Sequence, residues 1–229
     1  CGLEKKCYAY DIQAACAGFI VASFDANAYI KSGLYKKVIV VCAEKMSSMV
    51  NYEDRATCPL FGDGAAAVLM EPTEGPVGFV DGVFHVDGSG LEHLVYKAGG
   101  SAHPTTHETV DAKENCLYQE GRAVYKSAVM DMFNSSKEVM ERNNLKIEDV
   151  KWFVPHQANL RIIEAVGSRL GLSEEQVLVN IQKVGNTSAA SIPICLDHNK
   201  GKLKKGDKIV LTAFGAGFTW GASYLIWGM

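Results

Sequence analysis

An apolar run over residues 7–12 predicts a buried strand. From Cys16 the spacing becomes helical, with Phe19, Ile20, Ala22, Ser23, Ala26, Tyr29 and Ile30 on one small-residue helix closed by Gly33. Cys16 is thus expected where a strand turns into a helix N-terminus. Free N–H groups and the positive dipole end lie there, and both favour thiolate over thiol. Residues 38–42 form a continuous apolar run, as for a strand buried on both faces. Residues 46–58 read as a polar loop, Phe61-Gly-Asp-Gly64 as a tight turn, and residues 65–70 as a strand. Residues 77–86 predict one more strand or a hairpin. Residues 87–115 are rich in Gly, Pro, His and Thr with little periodicity, which predicts a long surface excursion.

The second half reads differently at first. Residues 120–143 predict an amphipathic helix, with Val124, Ala128, Met132 and Phe133 on one side. A short strand over 150–155 precedes a helix over 159–170, closed by Gly171. Ser173 caps a turn, residues 177–181 predict a strand, and residues 188–199 predict a helix despite Pro193. Residues 209–214 and 219–227 predict the last two strands, joined by the turn Gly215-Ala-Gly217.

Set side by side, residues 7–70 and 177–227 follow one order: strand, small-residue helix, strand, turn, strand. That is the pattern of a duplicated α/β domain with buried helices on mixed sheets. The expected halves are 1–118 and 119–229. The second copy has helices and a strand in front of it and the first has nothing. An opening segment is therefore expected to be absent, leaving sheet edges and core faces uncovered in the isolated chain.

Composition narrows the picture. The chain has 229 residues, 48% hydrophobic and 21% charged, as in a globular protein. No apolar run reaches the roughly 18 residues of a membrane span. Seven cysteines without CxxC spacing argue against a disulfide framework or a zinc site and suit a reducing cytoplasm. His85, His93, His103 and His107 match no metal-ligand spacing. Residues 71–120 carry nine acids and two Lys or Arg, whereas residues 151–208 carry nine Lys or Arg and five acids. The second half could therefore face an anionic partner, or the charges could be ordinary solvated surface.

Three chemical groups share a placement. Cys16, His156 and Asn186 each follow a predicted strand, where ligands bind in α/β sheets. Taken singly, each has a plain structural reading: a packed cysteine, a histidine after Pro155, and a turn asparagine after Gly185.

The motifs DIQAACAGF (from Asp11), RATCPLFGDGAAAV (from Arg55), VPHQANLRII (from Val154), GNTSAAS (from Gly185) and FGAGFTWG (from Phe214) resemble those of β-ketoacyl-acyl-carrier-protein synthase III, over nearly the whole chain except residues 87–115. The resemblance implies a thiolase-like fold, a homodimer, and an opening segment of roughly 95 residues ahead of Cys1, in line with the internal symmetry. It also implies a catalytic triad of Cys16, His156 and Asn186. The backbone N–H groups of Cys16 and Ala216 would form the oxyanion hole. By the same resemblance Phe61 lines the acyl pocket, Asn159 and Arg161 lie near the pantetheine channel, and Arg161 and Arg169 face the carrier protein.

The implied activity is initiation of fatty-acid synthesis. Cys16 takes an acyl group from an acyl-CoA primer, and malonyl-acyl-carrier protein loses CO2 and condenses with it. CoA and carrier-protein thioesters are substrates, and no metal, other cofactor, nucleic acid or membrane is implied. By the same resemblance Asn186 discriminates, because elongating synthases of this fold carry a second His there and thiolases a second Cys, which leaves the initiating enzyme or its plant polyketide and hydroxymethylglutaryl relatives. Two alternatives stand beside it: a specialised paralogue that acylates another acceptor, and a non-catalytic fragment.

Overall fold

The computed structural model describes residues 7–229, and Cys1 lies outside them. A 3-10 turn at Ala15–Ala17 leads into α1 (Gly18–Lys31). There follow β1 (Val38–Glu44), β2 (Gly64–Met70), β3 (Gly78–Val86), β4 (Leu94–Val95), α2 (His107–Asp111), β5 (Tyr118–Gln119) and α3 (Gly121–Arg142). The chain closes with β6 (Trp152–Pro155), α4 (Leu160–Leu170), α5 (Ile181–Val184), α6 (Ser191–His198), β7 (Lys208–Gly215) and β8 (Thr219–Ile226).

These elements stack in layers. β1 and β2 pair antiparallel over their full length, from Val38 opposite Met70 to Glu44 opposite Gly64. The larger sheet runs β3-β8-β7-β6 and is mixed, with β6 and β7 parallel and the other pairs antiparallel. β3 thus joins a sheet otherwise built from residues beyond 150, so residues 1–118 and 119–229 share it. α1 packs on β1 and on β3, β7 and β8, while α6 packs on β2 and β6. Both helices therefore lie between the sheets, where Phe19, Ile20, Ile192, Cys195 and Leu196 meet Val40, Leu211 and Leu225. Small residues make this possible: Ser23 and Ala26 on α1 are buried, and they let the helix approach two strand layers. α3 and α4 cover the far face of the larger sheet through Val124, Met132, Val139, Ile162 and Val166. This is an α/β thiolase-like architecture with mixed sheets and buried helices.

Three expectations are corrected. Residues 7–14 form no strand, and no strand runs beside them among the described residues; Tyr8 and Tyr10 are exposed. β1 is not buried on both faces. Val40 and Cys42 face α1 and the core, but Ile39 and Val41 are 61% and 64% exposed, because no described layer covers that side. Residues 177–181 make only one strand-like bridge, Val177 to Phe153. Beyond it the Gln157 side chain takes over the backbone groups, accepting the Asn180 N–H and donating to the Leu178 carbonyl. Those groups are satisfied by one side chain rather than by a neighbouring strand.

The stretch over 87–115 is mostly irregular, but it is pinned to the body. Leu117 N–H donates to the Met49 carbonyl and Glu120 N–H to that of His93. His93 pairs with Glu120, His103 with Glu114, and His85 with Glu138. Among the described residues no three His, Cys, Asp or Glu side chains cluster as metal ligands, and no helix is long and apolar enough to cross a membrane.

Candidate active site

Cys16 sits in the middle of the 3-10 turn that opens α1. Ala15, just before it, holds φ 45°, in the left-handed region that costs energy for any residue with a Cβ. Burial pushes the Cys16 thiol up to about 11, although hydrogen bonds from the Ser188 side chain and from Cys16's own N–H act the other way. At this thiol desolvation of the anion acts against the helix-end donors and is the larger of the two effects.

His156 follows β6 and is 1% exposed. Its N–H donates to the Thr212 carbonyl of β7 at 2.7 Å, and its Nδ1 lies 2.6 Å from Ser191 Oγ at the head of α6. Burial pushes the imidazole down to about 3, so it is neutral at pH 7. Its neighbour Gln157, wholly buried, ties the strand end by donating to the Pro155 carbonyl.

Asn186 is held by its backbone and by half of its side chain. Its N–H donates to the Leu60 carbonyl at 2.8 Å, and its own carbonyl accepts from Gly62 at 3.0 Å. The Oδ1 accepts the Ser188 N–H at 2.9 Å. That bond fixes which end of the amide is oxygen, and Nδ2 makes no hydrogen bond among the described residues. The loop that clamps Asn186 is itself braced, because Asp63 accepts from both the N–H and the hydroxyl of Ser47.

A cavity of about 520 Å3 opens between these elements. Cys16, His156, Asn186, Phe61, Asn159 and Ala216 all line it. One wall is apolar, with Met49, Leu60, Leu94, Leu117 and Met132. Phe61 reaches the cavity from its own chain. Asn159 also caps α4, accepting the Arg161 N–H at 2.9 Å. Arg161 and Arg169 do not line the cavity; both are exposed on α4, near its two ends.

Four residues near this site were not singled out from the sequence. Ser188 contacts the Cys16 thiol, and its φ of 50° is a second left-handed residue at the site. Glu44 ends β1, lines the cavity and accepts the Ala189 N–H, with its carboxyl raised by burial. Tyr96 brings a phenol from the irregular stretch, with a buried hydroxyl that has no partner among the described residues. Ser191 holds the His156 ring. The two serines stand inside GNTSAAS, a motif whose interest was drawn to its asparagine.

Comparison with known proteins shows the family of the chain. The family 3-oxoacyl-[acyl-carrier-protein] synthase III matches residues 10–88, and its C-terminal region matches residues 140–227. A β-ketoacyl-[acyl-carrier-protein] synthase III of Porphyromonas gingivalis is 57% identical over 220 residues, covering 96% of this chain and 66% of the relative. The synthase III 2 of Bacteroides thetaiotaomicron is 55% identical over 98% of this chain and 67% of its own length. The crystal structure of 3-oxoacyl-[acyl-carrier-protein] synthase III from Aquifex aeolicus superposes with a TM-score of 0.87 at 44% identity, covering 97% of this chain and 68% of that one. The chain spans about two thirds of the length of the curated relatives it matches. On the two family matches and on these identities, the chain belongs to the 3-oxoacyl-[acyl-carrier-protein] synthase III family.

Proposed function

We propose that this protein is a condensing acyltransferase that joins an acyl-CoA primer to malonyl-acyl-carrier protein by decarboxylative Claisen condensation. The observation that carries the reading is one cavity lined by a thiol, a neutral imidazole and a carboxamide, with the imidazole Nε2 and the Asn186 Nδ2 free of hydrogen-bond partners among the described residues.

The steps balance without a metal or a redox cofactor. Cys16 sulfur attacks the primer thioester carbonyl, and CoA leaves as its thiol, carrying the equivalent of the Cys16 proton. The Cys16 and Ala216 N–H groups stabilise the oxyanion in this reading. Malonyl-acyl-carrier protein then loses CO2, and the electron pair of the broken bond forms an enolate. His156 and Asn186 donate hydrogen bonds to its oxygen, which a neutral imidazole can do from Nε2–H. The enolate carbon attacks the acyl-enzyme, the carbon–sulfur bond breaks, and the departing Cys16 thiolate takes one proton from water, the proton consumed in each turnover. The apolar wall with Phe61 would hold the acyl chain, and Asn159 the pantetheine arm. Arg161 and Arg169 would meet the acidic carrier protein, and a homodimer would be the working form.

The test uses the full-length protein with radiolabelled malonyl-acyl-carrier protein. Cys16→Ala is expected to abolish ketoacyl product. His156→Ala and Asn186→Ala are each expected to slow CO2 release by about 100-fold or more, the usual cost of one oxyanion donor. Unimpaired condensation by Cys16→Ala would overturn the reading.

A further inference from the structure

We propose that Ser191 is a positioning residue that fixes His156 as the tautomer with its proton on Nε2. The inference deepens the reading above, since it rests on His156 acting as a donor to the enolate.

The argument is a count of donors and acceptors. Ser191 is fully buried, and its Oγ lies 2.6 Å from His156 Nδ1. The same oxygen accepts the Gln157 N–H at 3.2 Å. Among the hydrogen bonds of the described residues, Nδ1 is the sole acceptor within reach of the Ser191 proton. A buried hydroxyl keeps its proton in a hydrogen bond. Ser191 therefore donates to Nδ1, and Nδ1 accepts. A neutral imidazole carries one proton, so it stands on Nε2. The opposite tautomer fails twice. It would leave the Ser191 proton without an acceptor in a dry site, and it would turn a lone pair of Nε2 towards an anionic oxygen.

The device spans three elements. Thr212 on β7 holds the His156 backbone, Ser191 on α6 holds the ring, and Gln157 joins the two by donating its N–H to Ser191. The ring thus has little freedom to turn, as with a histidine oriented by a second group in other active sites.

The experiment uses full-length protein labelled with nitrogen-15 histidine, with the His156 signals identified by their loss in His156→Gln. In the wild type, the nitrogen shifts and proton couplings are expected to show Nε2–H and an accepting Nδ1 at pH 7. In Ser191→Ala that signature is expected to give way to Nδ1–H or to exchange between tautomers. Malonyl-thioester decarboxylation is expected to lose roughly 10- to 100-fold in kcat, with KM within about twofold. Ser191→Thr, which keeps the hydroxyl, is expected to restore both. An Nδ1–H signature in the wild type would overturn the proposal, as would an unchanged signature and rate in Ser191→Ala. If the wild type fails to decarboxylate malonyl thioesters, the functional reading falls, and the tautomer signature still decides the role of Ser191.

Discussion

Gly215 stands against Cys16 with no room for a side chain. A Cβ at 215 would lie 2.7 Å from the Cys16 nitrogen and 3.1 Å from the Ala15 Cβ. The end of β7 therefore sets how deep the nucleophile's turn can sit, and Ala216, next in the chain, shares the cavity with Cys16. Gly215→Ala should push the two apart. Overpacking of this kind costs about 1–3 kcal/mol, and a shift near 1 Å at a reacting centre costs about 100-fold in rate. Thermal melting and condensation kinetics of the full-length variant check this. A wild-type rate would mean that the turn is positioned by something else.

The half-buried Cys16 thiol titrates late. With its value pushed up to about 11, it is protonated at pH 7 and its thiolate fraction grows tenfold per pH unit up to pH 10. Alkylation by iodoacetamide follows the thiolate. The rate at the Cys16 peptide, read by mass spectrometry, should keep rising across this range in the substrate-free protein. The exposed Cys7 serves as an internal comparison. A plateau below pH 8 at Cys16 would show that the N–H and Ser188 donors prevail over burial.

Tyr96 carries a buried hydroxyl without a partner among the described residues, and burial raises its pKa. Removing an unpaired buried hydroxyl while keeping the ring is neutral or stabilising, whereas losing a paired one costs about 1 kcal/mol. Tyr96→Phe should therefore leave the urea midpoint unchanged or raise it. A midpoint lowered by the equivalent of about 1 kcal/mol would show that the phenol is paired in solution.

The sequence carried some of this structure openly and hid the rest for identifiable reasons. α3 and α4 were legible because their apolar stripes are long and Gly171 closes α4 in a left-handed cap, with φ 79°. The shared placement of Cys16, His156 and Asn186 after strands holds only for His156, which follows β6; Cys16 lies in a 3-10 turn with no strand before it among the described residues, and Asn186 follows α5, so the three meet by tertiary packing rather than at three strand ends. The two faces of β1 were not, since Val-Ile-Val-Val reads the same whether or not a layer covers Ile39 and Val41. Residues 178–180 looked like a strand because the competing acceptor, Gln157, stands about 20 residues away in sequence. β3 was legible as a strand, but its pairing with β8 depends on contacts more than 130 residues apart. The state of the Cys16 thiol is not legible from sequence, because a dipole argument sees only local backbone, while desolvation comes from every element packed around the site. Tyr96 was hidden because it lies in a stretch without periodicity, so only tertiary contacts reveal that it reaches the cavity.

The buried imidazole of His156 makes stability depend on pH in a definite direction. Its folded value is pushed down to about 3 from an ordinary value near 6.5. Between these values the unfolded chain binds a proton that the folded protein does not, so acid favours unfolding there. The contribution is intact above about pH 6.5 and is lost progressively as the pH falls towards 3. Each unit in that window is worth about 1 kcal/mol. Carboxylates such as Asp54 and Asp63, held low by hydrogen bonds, add their own loss once the pH falls below the ordinary carboxylate range. Glu44 and Asp131, raised by burial, act in the opposite sense. The clean measurement is therefore a difference: urea unfolding of the full-length protein and of His156→Gln at pH 7.5, 6.0 and 5.0. The wild type should lose about 1–2 kcal/mol more than the variant over that interval. Parallel curves would mean that His156 is protonated at little cost, and that the site is wetter and less able to hold a neutral donor than its burial indicates.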